Sequence, residues 1–111
     1  APVRVVDGPD ADLISPGRLE SGEYRIDARS DRMGLRLEGE AIDVDADPER
    51  TSTPVSAGAV QIAGGVPLVL GVACGTMGGY PHVAHVISAD LDRLAQAIFR
   101  AQRSPRRPGV P

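Results

Sequence analysis

Gly78-Gly79-Tyr80-Pro81 is the stretch of this 111-residue chain best suited by residue type to hold a ligand. Paired glycines let the backbone come close to a bound group or take positive φ, and their N–H groups can cradle an anion such as a carboxylate oxygen. The same four residues also suit a tight turn between strands, with Tyr80 as a packing residue. Asp31 and Arg32 precede Met33-Gly34. An arginine there can grip a carboxylate through a bidentate fork, or fix its own loop through an ion pair. Gln61 lies within an apolar run, so its amide either lines the concave face of a barrel or looks to solvent. His82 and His85 are three apart, and side chains alternate along an ideal strand, which puts them on opposite faces. With no Cys, Asp or Glu at ligand spacing, no metal site is expected. Cys74 ends a long apolar run and reads as an inert buried thiol. Asp43, Asp45, Asp47 and Glu49 alternate along a polar stretch that lacks the glycine and distal glutamate of a calcium loop, so a solvated loop is expected. No nucleophile elbow is present, and no catalytic residue is assigned.

The elements that must position these residues are short. Residues 3–6 alternate and run into Asp7-Gly8-Pro9-Asp10, a strand and a turn. Residues 12–19 fit a short helix or an irregular loop. Residues 23–27 and 35–38 alternate polar and apolar, the pattern of half-buried strands. Residues 43–56 read as an exposed loop broken by Pro48 and Pro54. Residues 58–62 and 66–72, joined by Ala63-Gly64-Gly65, read as a hairpin whose second strand is fully buried. Residues 83–87 read as another strand. The period then changes: Leu91, Leu94, Ala95, Ile98 and Phe99 fall on one face of an α-helix. Ser88 is placed as its N-cap, Asp90 in its first turn, and its end near Gln102. This gives one domain over residues 1–102 and a flexible Arg/Pro-rich tail over residues 103–111. Many short strands with Gly and Pro punctuation and one late helix argue for a mainly β barrel or sandwich.

Composition narrows the function classes. The aromatic residues are Tyr24, Tyr80 and Phe99 alone, so the core must be built from Val, Ile, Leu and Ala. The net charge of −3 and a pI near 5.2 argue against a nucleic-acid footprint. The longest apolar run is too short to span a bilayer as a helix, and no signal peptide is expected. One cysteine excludes an internal disulfide and fits a reducing, cytoplasmic setting. Ala1 in place of Met suggests a trimmed segment.

Three stretches, in this order and spacing, carry a resemblance. They are Ser30-Asp31-Arg32-Met33-Gly34-Leu35-Arg36-Leu37-Glu38-Gly39; Gly58-Ala59-Val60-Gln61 with the Val66-Pro67-Leu68-Val69-Leu70 strand; and Gly78-Gly79-Tyr80-Pro81 with Val86-Ile87-Ser88-Ala89-Asp90-Leu91 and Arg93-Leu94-Ala95-Gln96. Together they resemble the C-terminal part of the family that unites allophanate hydrolase subunit 2, KipA and the C subunit of 5-oxoprolinase. The resemblance implies a cyclophilin-like β-barrel with one C-terminal helix, a further N-terminal domain in the full protein, and a KipI-like (subunit 1) partner. Members include carboxyltransferase domains and parts of ATP-dependent 5-oxoprolinase, while KipA itself is a regulatory protein that binds KipI. The implied binding residues for a small carboxylate or amide are Arg32, Gln61, Thr76, Gly78, Gly79 and Tyr80. No cofactor is expected on this chain, with ATP or carboxybiotin belonging to the full complex. The sequence also departs from the family's pattern. Where the family has Ala-Asp-Arg-Gln-Thr-Thr, this chain has Val72-Ala73-Cys74-Gly75-Thr76-Met77; where the family has Ser-Glu-Gly, it has Ser52-Thr53-Pro54. The family's closing strand after Gln96 is replaced by what reads as a longer helix. These departures keep two readings open: half of an active site shared with a partner, or a binding module without chemistry.

Overall fold

The computed structural model describes residues 2–27, 34–45, 53–71, 77–95 and 98–104. Eight strands make its main element: β1 (Val3–Asp7), β2 (Tyr24–Ile26), β3 (Gly34–Glu38), β5 (Ala59–Ala63), β6 (Val66–Leu70), β8 (His82–Val86), β9 (Ile98–Phe99) and β10 (Ala101–Arg103). They form one sheet in the order β10-β1-β8-β5-β6-β3-β2-β9. Thr53–Pro54 (β4) and Met77–Gly78 (β7) pair as a separate two-stranded ribbon.

The sheet is a nearly closed barrel because one C-terminal segment supplies both of its outer strands. β9 runs antiparallel to β2 and β10 runs parallel to β1, with only Arg100 between them. The Arg100 carbonyl accepts a hydrogen bond from Val3 N–H at 2.7 Å, so the joint itself is tied to β1. This corrects two expectations. There is no α-helix among the described residues: Ser88–Ala95 is a 3-10 helix. The strand that closes the barrel is present, and it contains Ile98 and Phe99, which the helical period had claimed. Leu91 and Leu94 do pack against the core from the 3-10 helix. Phe99, however, is paired with Tyr24 in the sheet and buried beside it, with ring centroids 6.3 Å apart and planes tilted by 57°, an offset arrangement that aromatic rings favour. Backbone pairing with β1 and β2 outweighs a helical pattern worth only tenths of a kcal/mol per residue.

Inside the barrel the core is aliphatic, as the composition requires. Val3, Val5, Leu37, Val60, Ile62, Val69, Val83 and Val86 are at most 3% exposed. One mouth is plugged by the segments before β2 and after β3. Leu19 and Ile42 are fully buried there, with Ile14 and Val44 packed on the same cluster. Ile42 N–H donates to the Gly65 carbonyl and Asp45 N–H to the Leu13 carbonyl, which fixes the two segments on the barrel rim and on each other. Residues 12–19 resolve into a 3-10 turn, Ala11–Leu13, followed by turns. The stretch expected to be a plain exposed loop, residues 43–56, instead sends Val44 toward the core and pairs Thr53–Pro54 with β7.

The β5–β6 hairpin and its turn follow the expectation, but β6 is not fully buried: Pro67 and Val69 are, and Val66, Leu68 and Leu70, alternating with them, are half-buried. Ala63 pairs with Val66 across Gly64 and Gly65, whose φ angles are +59° and +84°. A two-residue turn with positive φ at both positions matches the twist of the strands, and only glycine adopts it without strain. Gly58, just before β5, is also committed, with φ +96°. A Cβ there would stand 3.1 Å from Leu91 Cδ2, 3.1 Å from the Val86 carbonyl and 3.2 Å from His85 Nε2. Gly58→Ala is therefore expected to lower stability by about 2 kcal/mol, through a strained backbone and a crowded carbonyl, with an unchanged denaturant m-value. A denaturant melt checks it.

Candidate functional site

β6 and β8 both run antiparallel to β5 and lie on either side of it. They are therefore parallel to each other, and the chain leaving Leu70 must return along β5 to reach His82. β7 and the Gly78-Gly79-Tyr80 segment belong to that return. This topology explains an otherwise odd burial: Ala59 and Gln61 point away from the core row Val60, Val69 and Ala84, yet they are 0% and 3% exposed.

The register places one row of side chains across four strands on this outer face. Arg36 of β3 is opposite Leu68 of β6, Leu68 is opposite Gln61 of β5, and Gln61 is opposite His82 of β8. Gln61 does not look to solvent. Its amide Nε2 donates to the Tyr80 carbonyl at 3.5 Å, while the next residue, Ile62, donates its N–H to the Pro81 carbonyl at 3.1 Å. Neighbouring positions of β5 thus hold the root of the loop. At its tip Gly79 and Tyr80 are exposed, with Tyr80 52% accessible. Of the residues singled out from the sequence, Gln61, Gly78, Gly79 and Tyr80 come together here. Arg32 and Thr76, with Asp31 and Cys74, lie outside the described residues.

A cavity of about 310 Å³ opens between the end of β2, β3 and the start of β6. Its lining includes Asp27, Arg36, Glu38, Gly65 and Pro67. The Asp27 carboxylate is 6% exposed and stands 3.7 Å from the Arg36 guanidinium. Sequence reasoning gave neither residue a role. Its only available signal was their position on either side of Ser30-Asp31-Arg32-Met33.

The two histidines overturn the expectation of opposite faces. His85 pairs with Ala59, Ala84 with Val60, but His82 with Gln61, so Val83 is an extra residue and β8 carries a bulge. A bulge shifts the alternation by one, and it puts both imidazoles on the outer face. Their rings tilt by 48° with centroids 5.5 Å apart, and His85 Nδ1 and His82 Nε2 lie 3.4 Å from each other at hydrogen-bond geometry. Burial pushes both imidazoles below the usual histidine range, and for His82 a charge on His85 would push further. The Ala84 carbonyl and Asp10 oppose this at His82, and the Ala57 carbonyl opposes it at His85. No group of three or more potential metal ligands exists among the described residues. Nor is any helix among them long and apolar enough to cross a membrane.

The two-stranded ribbon brings together two stretches that the sequence leaves far apart. Thr53 is opposite Gly78 and Pro54 is opposite Met77. Of the positions where this chain departs from the pattern of the family it resembles, Pro54 and Met77 are therefore cross-strand neighbours, with Thr53 beside them.

Similarity to known proteins matches this architecture. The family model described as carboxyltransferase domain, subdomain A and B, matches residues 1–103. The C subunit of 5-oxoprolinase from Haemophilus influenzae is 40% identical over 75 residues, which cover 67% of this chain and 24% of that protein. The C subunit of 5-oxoprolinase from Escherichia coli K12 is 35% identical over 98 residues, covering 85% of this chain and 32% of that protein. The chain thus spans about a quarter to a third of the length of these relatives. Among solved structures, TTHA0988 superposes with a TM-score of 0.76 at 34% identity, over 92% of this chain and 21% of that one. The urea amidolyase of K. lactis superposes with a TM-score of 0.83 at 20% identity, over 93% of this chain and 7% of that one, a likeness of fold. With the match running through almost its whole length, from the first strand to the strand that closes the barrel, the chain belongs to the family of carboxyltransferase domains, subdomains A and B.

Proposed function

We propose that this chain is the cyclophilin-like domain of a protein akin to the C subunit of 5-oxoprolinase. It acts with a KipI-like (subunit 1) partner on a small carboxylate or amide such as 5-oxoproline or urea. The observation that carries this reading is the loop of Gly78, Gly79 and Tyr80. It is exposed at its tip, held at its root by Gln61 and Ile62, and set in a chain that matches the family over residues 1–103. In this reading the loop, with Arg32 and Thr76, holds the substrate's carboxylate or amide, and its contribution is electrostatic stabilisation from preset donors. ATP is handled by the partner. Carboxybiotin, where the reaction is carboxyl transfer, arrives as a substrate carried by another domain.

The test is to mix the chain with the KipI-like protein, measure association by light scattering, and assay the complex for ATP-dependent turnover of 5-oxoproline and of urea. The expected result is a stable complex whose turnover falls roughly a hundredfold on Gly79→Val and on Arg32→Ala, the size of effect seen when one stabilising donor is lost. Unchanged turnover in both variants would sink the proposal. A second reading, a regulatory module that binds the partner without chemistry, is favoured by one observation. The replaced Ser-Glu-Gly stretch and the end of the replaced polar run sit side by side at Thr53–Pro54 and Met77–Gly78. A stable complex with no turnover of either substrate selects that reading.

A further inference from the structure

A pair of imidazoles that no substrate contact requires stands on the outer face of β8, at the foot of the loop that bears Gly79 and Tyr80. His82 opens β8 directly after Tyr80-Pro81. It is 8% exposed, and its ring lies against Gly8, where a Cβ would stand only 2.9 Å from the Cδ2 atom. In the neutral pair one ring donates and the other accepts across the 3.4 Å between His85 Nδ1 and His82 Nε2. A first added proton keeps a donor facing an acceptor but puts a charge into a confined site. A second turns both facing nitrogens into donors, and the bond between the rings is lost. Two ties of the loop root, from Gln61 Nε2 to the Tyr80 carbonyl and from Ile62 N–H to the Pro81 carbonyl, do not titrate, while the His82 N–H is held by the Asp10 carboxylate.

The charged groups around the pair come from three directions among the described residues. Asp10, in the turn after β1, accepts the His82 backbone N–H at 2.9 Å and favours a charged ring. Arg4 of β1 and Asp90 of the 3-10 helix are engaged with each other at 2.8 Å. Asp7, opposite Ala84, is paired with Arg103. From β5 the pair meets Ala59 and Gln61, which carry no charge.

We propose that the His82–His85 pair is a proton-controlled anchor, which holds the Gly79–Tyr80 loop down on β5 and β8 while both rings are neutral and releases it when they take up protons. The anchor sets the order of the loop whatever ligand the loop binds, so it stands or falls separately from the function proposed above. Burial lowers the proton affinity of both rings in the folded chain. The unfolded or released state then binds more protons, so the anchored state is fully favoured above the ordinary histidine value of about 6.5 and loses ground as pH falls below it. The two protons go on as coupled steps of the pair.

The experiment is an NMR titration of the full chain from about pH 7.5 to about pH 4.5, spanning the range in which histidines charge. It follows the imidazole resonances and the hydrogen-exchange protection of the Gly79, Tyr80 and His82 amides. Both rings are expected to titrate below the ordinary range and to influence each other. Loop protection is expected to fall severalfold more than that of Val60 in the core, whose opening does not involve the pair. His85→Gln offers His82 a neutral partner. It is expected to keep the protection seen at the upper pH and to abolish the extra loss on acidification. A loop that loosens equally in His85→Gln overturns the proposal. If that variant does not fold, two independent titrations at the ordinary value in the wild-type chain overturn it instead.

Discussion

A chain stopped after residue 97 is expected to lose its folded monomeric state, whereas one stopped after Ser104 is expected to keep it. Seven residues supply both outer strands of the barrel. Without them β1 and β2 become open edges with unpaired N–H and C=O groups, which is how sheets come to aggregate. The segment also buries Phe99 and Ala101 at 1% and 7% exposure. It is fastened from outside by ion pairs: Arg100 to Glu23 at 3.2 Å, and Arg103 to Asp7 and, at 2.8 Å, to Glu20. These exposed pairs add little each; the aromatic residue and the backbone ladder carry the weight. Phe99→Ala alone is expected to cost about 3–5 kcal/mol, a large part of the roughly 5–15 kcal/mol that keeps a domain folded. Circular dichroism melts and size-exclusion chromatography of the two truncated chains and of Phe99→Ala check the expectation. A cooperative, monomeric chain ending at residue 97 would mean that the barrel closes without its last strand.

That strand was hidden in the sequence for a physical reason. Leu91, Leu94 and Ala95 repeat at helical spacing, and Ile98 and Phe99 continue the pattern. Leu91 and Leu94 do pack on the core from a helical segment, as a 3-10 helix. The second part alternates, with Ile98 outward and 42% exposed and Phe99 inward. Two residues are too few for a period of two to be told from the next step of a longer period. The hairpin of β5 and β6 was legible because Gly64-Gly65 demands its own turn and apolar residues flank it on both sides. β4 and β7 were not legible, since each is two residues long and one contains a proline.

The candidate site was legible by residue type and not by geometry. The resemblance picked out Gln61, Gly78, Gly79 and Tyr80, and the β6-to-β8 crossover brings them together. That Gln61 faces the crossover rather than the barrel's interior or open solvent follows from strand order, which no local pattern reveals. The histidine pair escaped for a related reason. Its two rings meet only because Val83 bulges out of register with β5, and a bulge among residues as alike as Val83, Ala84 and Val86 leaves no mark in the pattern of residue types.

Asp90→Ala is expected to destabilise the chain about as much as the loss of a core side chain, by roughly 3 kcal/mol. Periodicity assigned Asp90 to the first turn of a helix, where it would interact with the helix dipole for a few tenths of a kcal/mol. Its actual task is larger. The side chain is 1% exposed and ties the 3-10 helix to the first strand. One carboxylate oxygen accepts the backbone N–H of Arg4 at 2.8 Å and its Nε at 3.0 Å; the other accepts Nη2 at 2.8 Å. On the same stretch the Arg4 carbonyl accepts Ile87 N–H, and Asp90 N–H donates to the Ile87 carbonyl. Removing the carboxylate therefore strips a partner from a strand amide and loosens the helix that carries Leu91 and Leu94 onto the core. The guanidinium of Arg4 is half in water, and Asp90 holds it more firmly protonated than usual. Water can replace the ion pair there but cannot restore the backbone bond. Arg4→Ala should thus cost clearly less than Asp90→Ala. Equal losses in denaturant melts of the two variants would place the stabilisation in the ion pair itself. A larger loss for Asp90→Ala would place it in the carboxylate's hold on the backbone of β1, the strand on which the barrel both begins and closes.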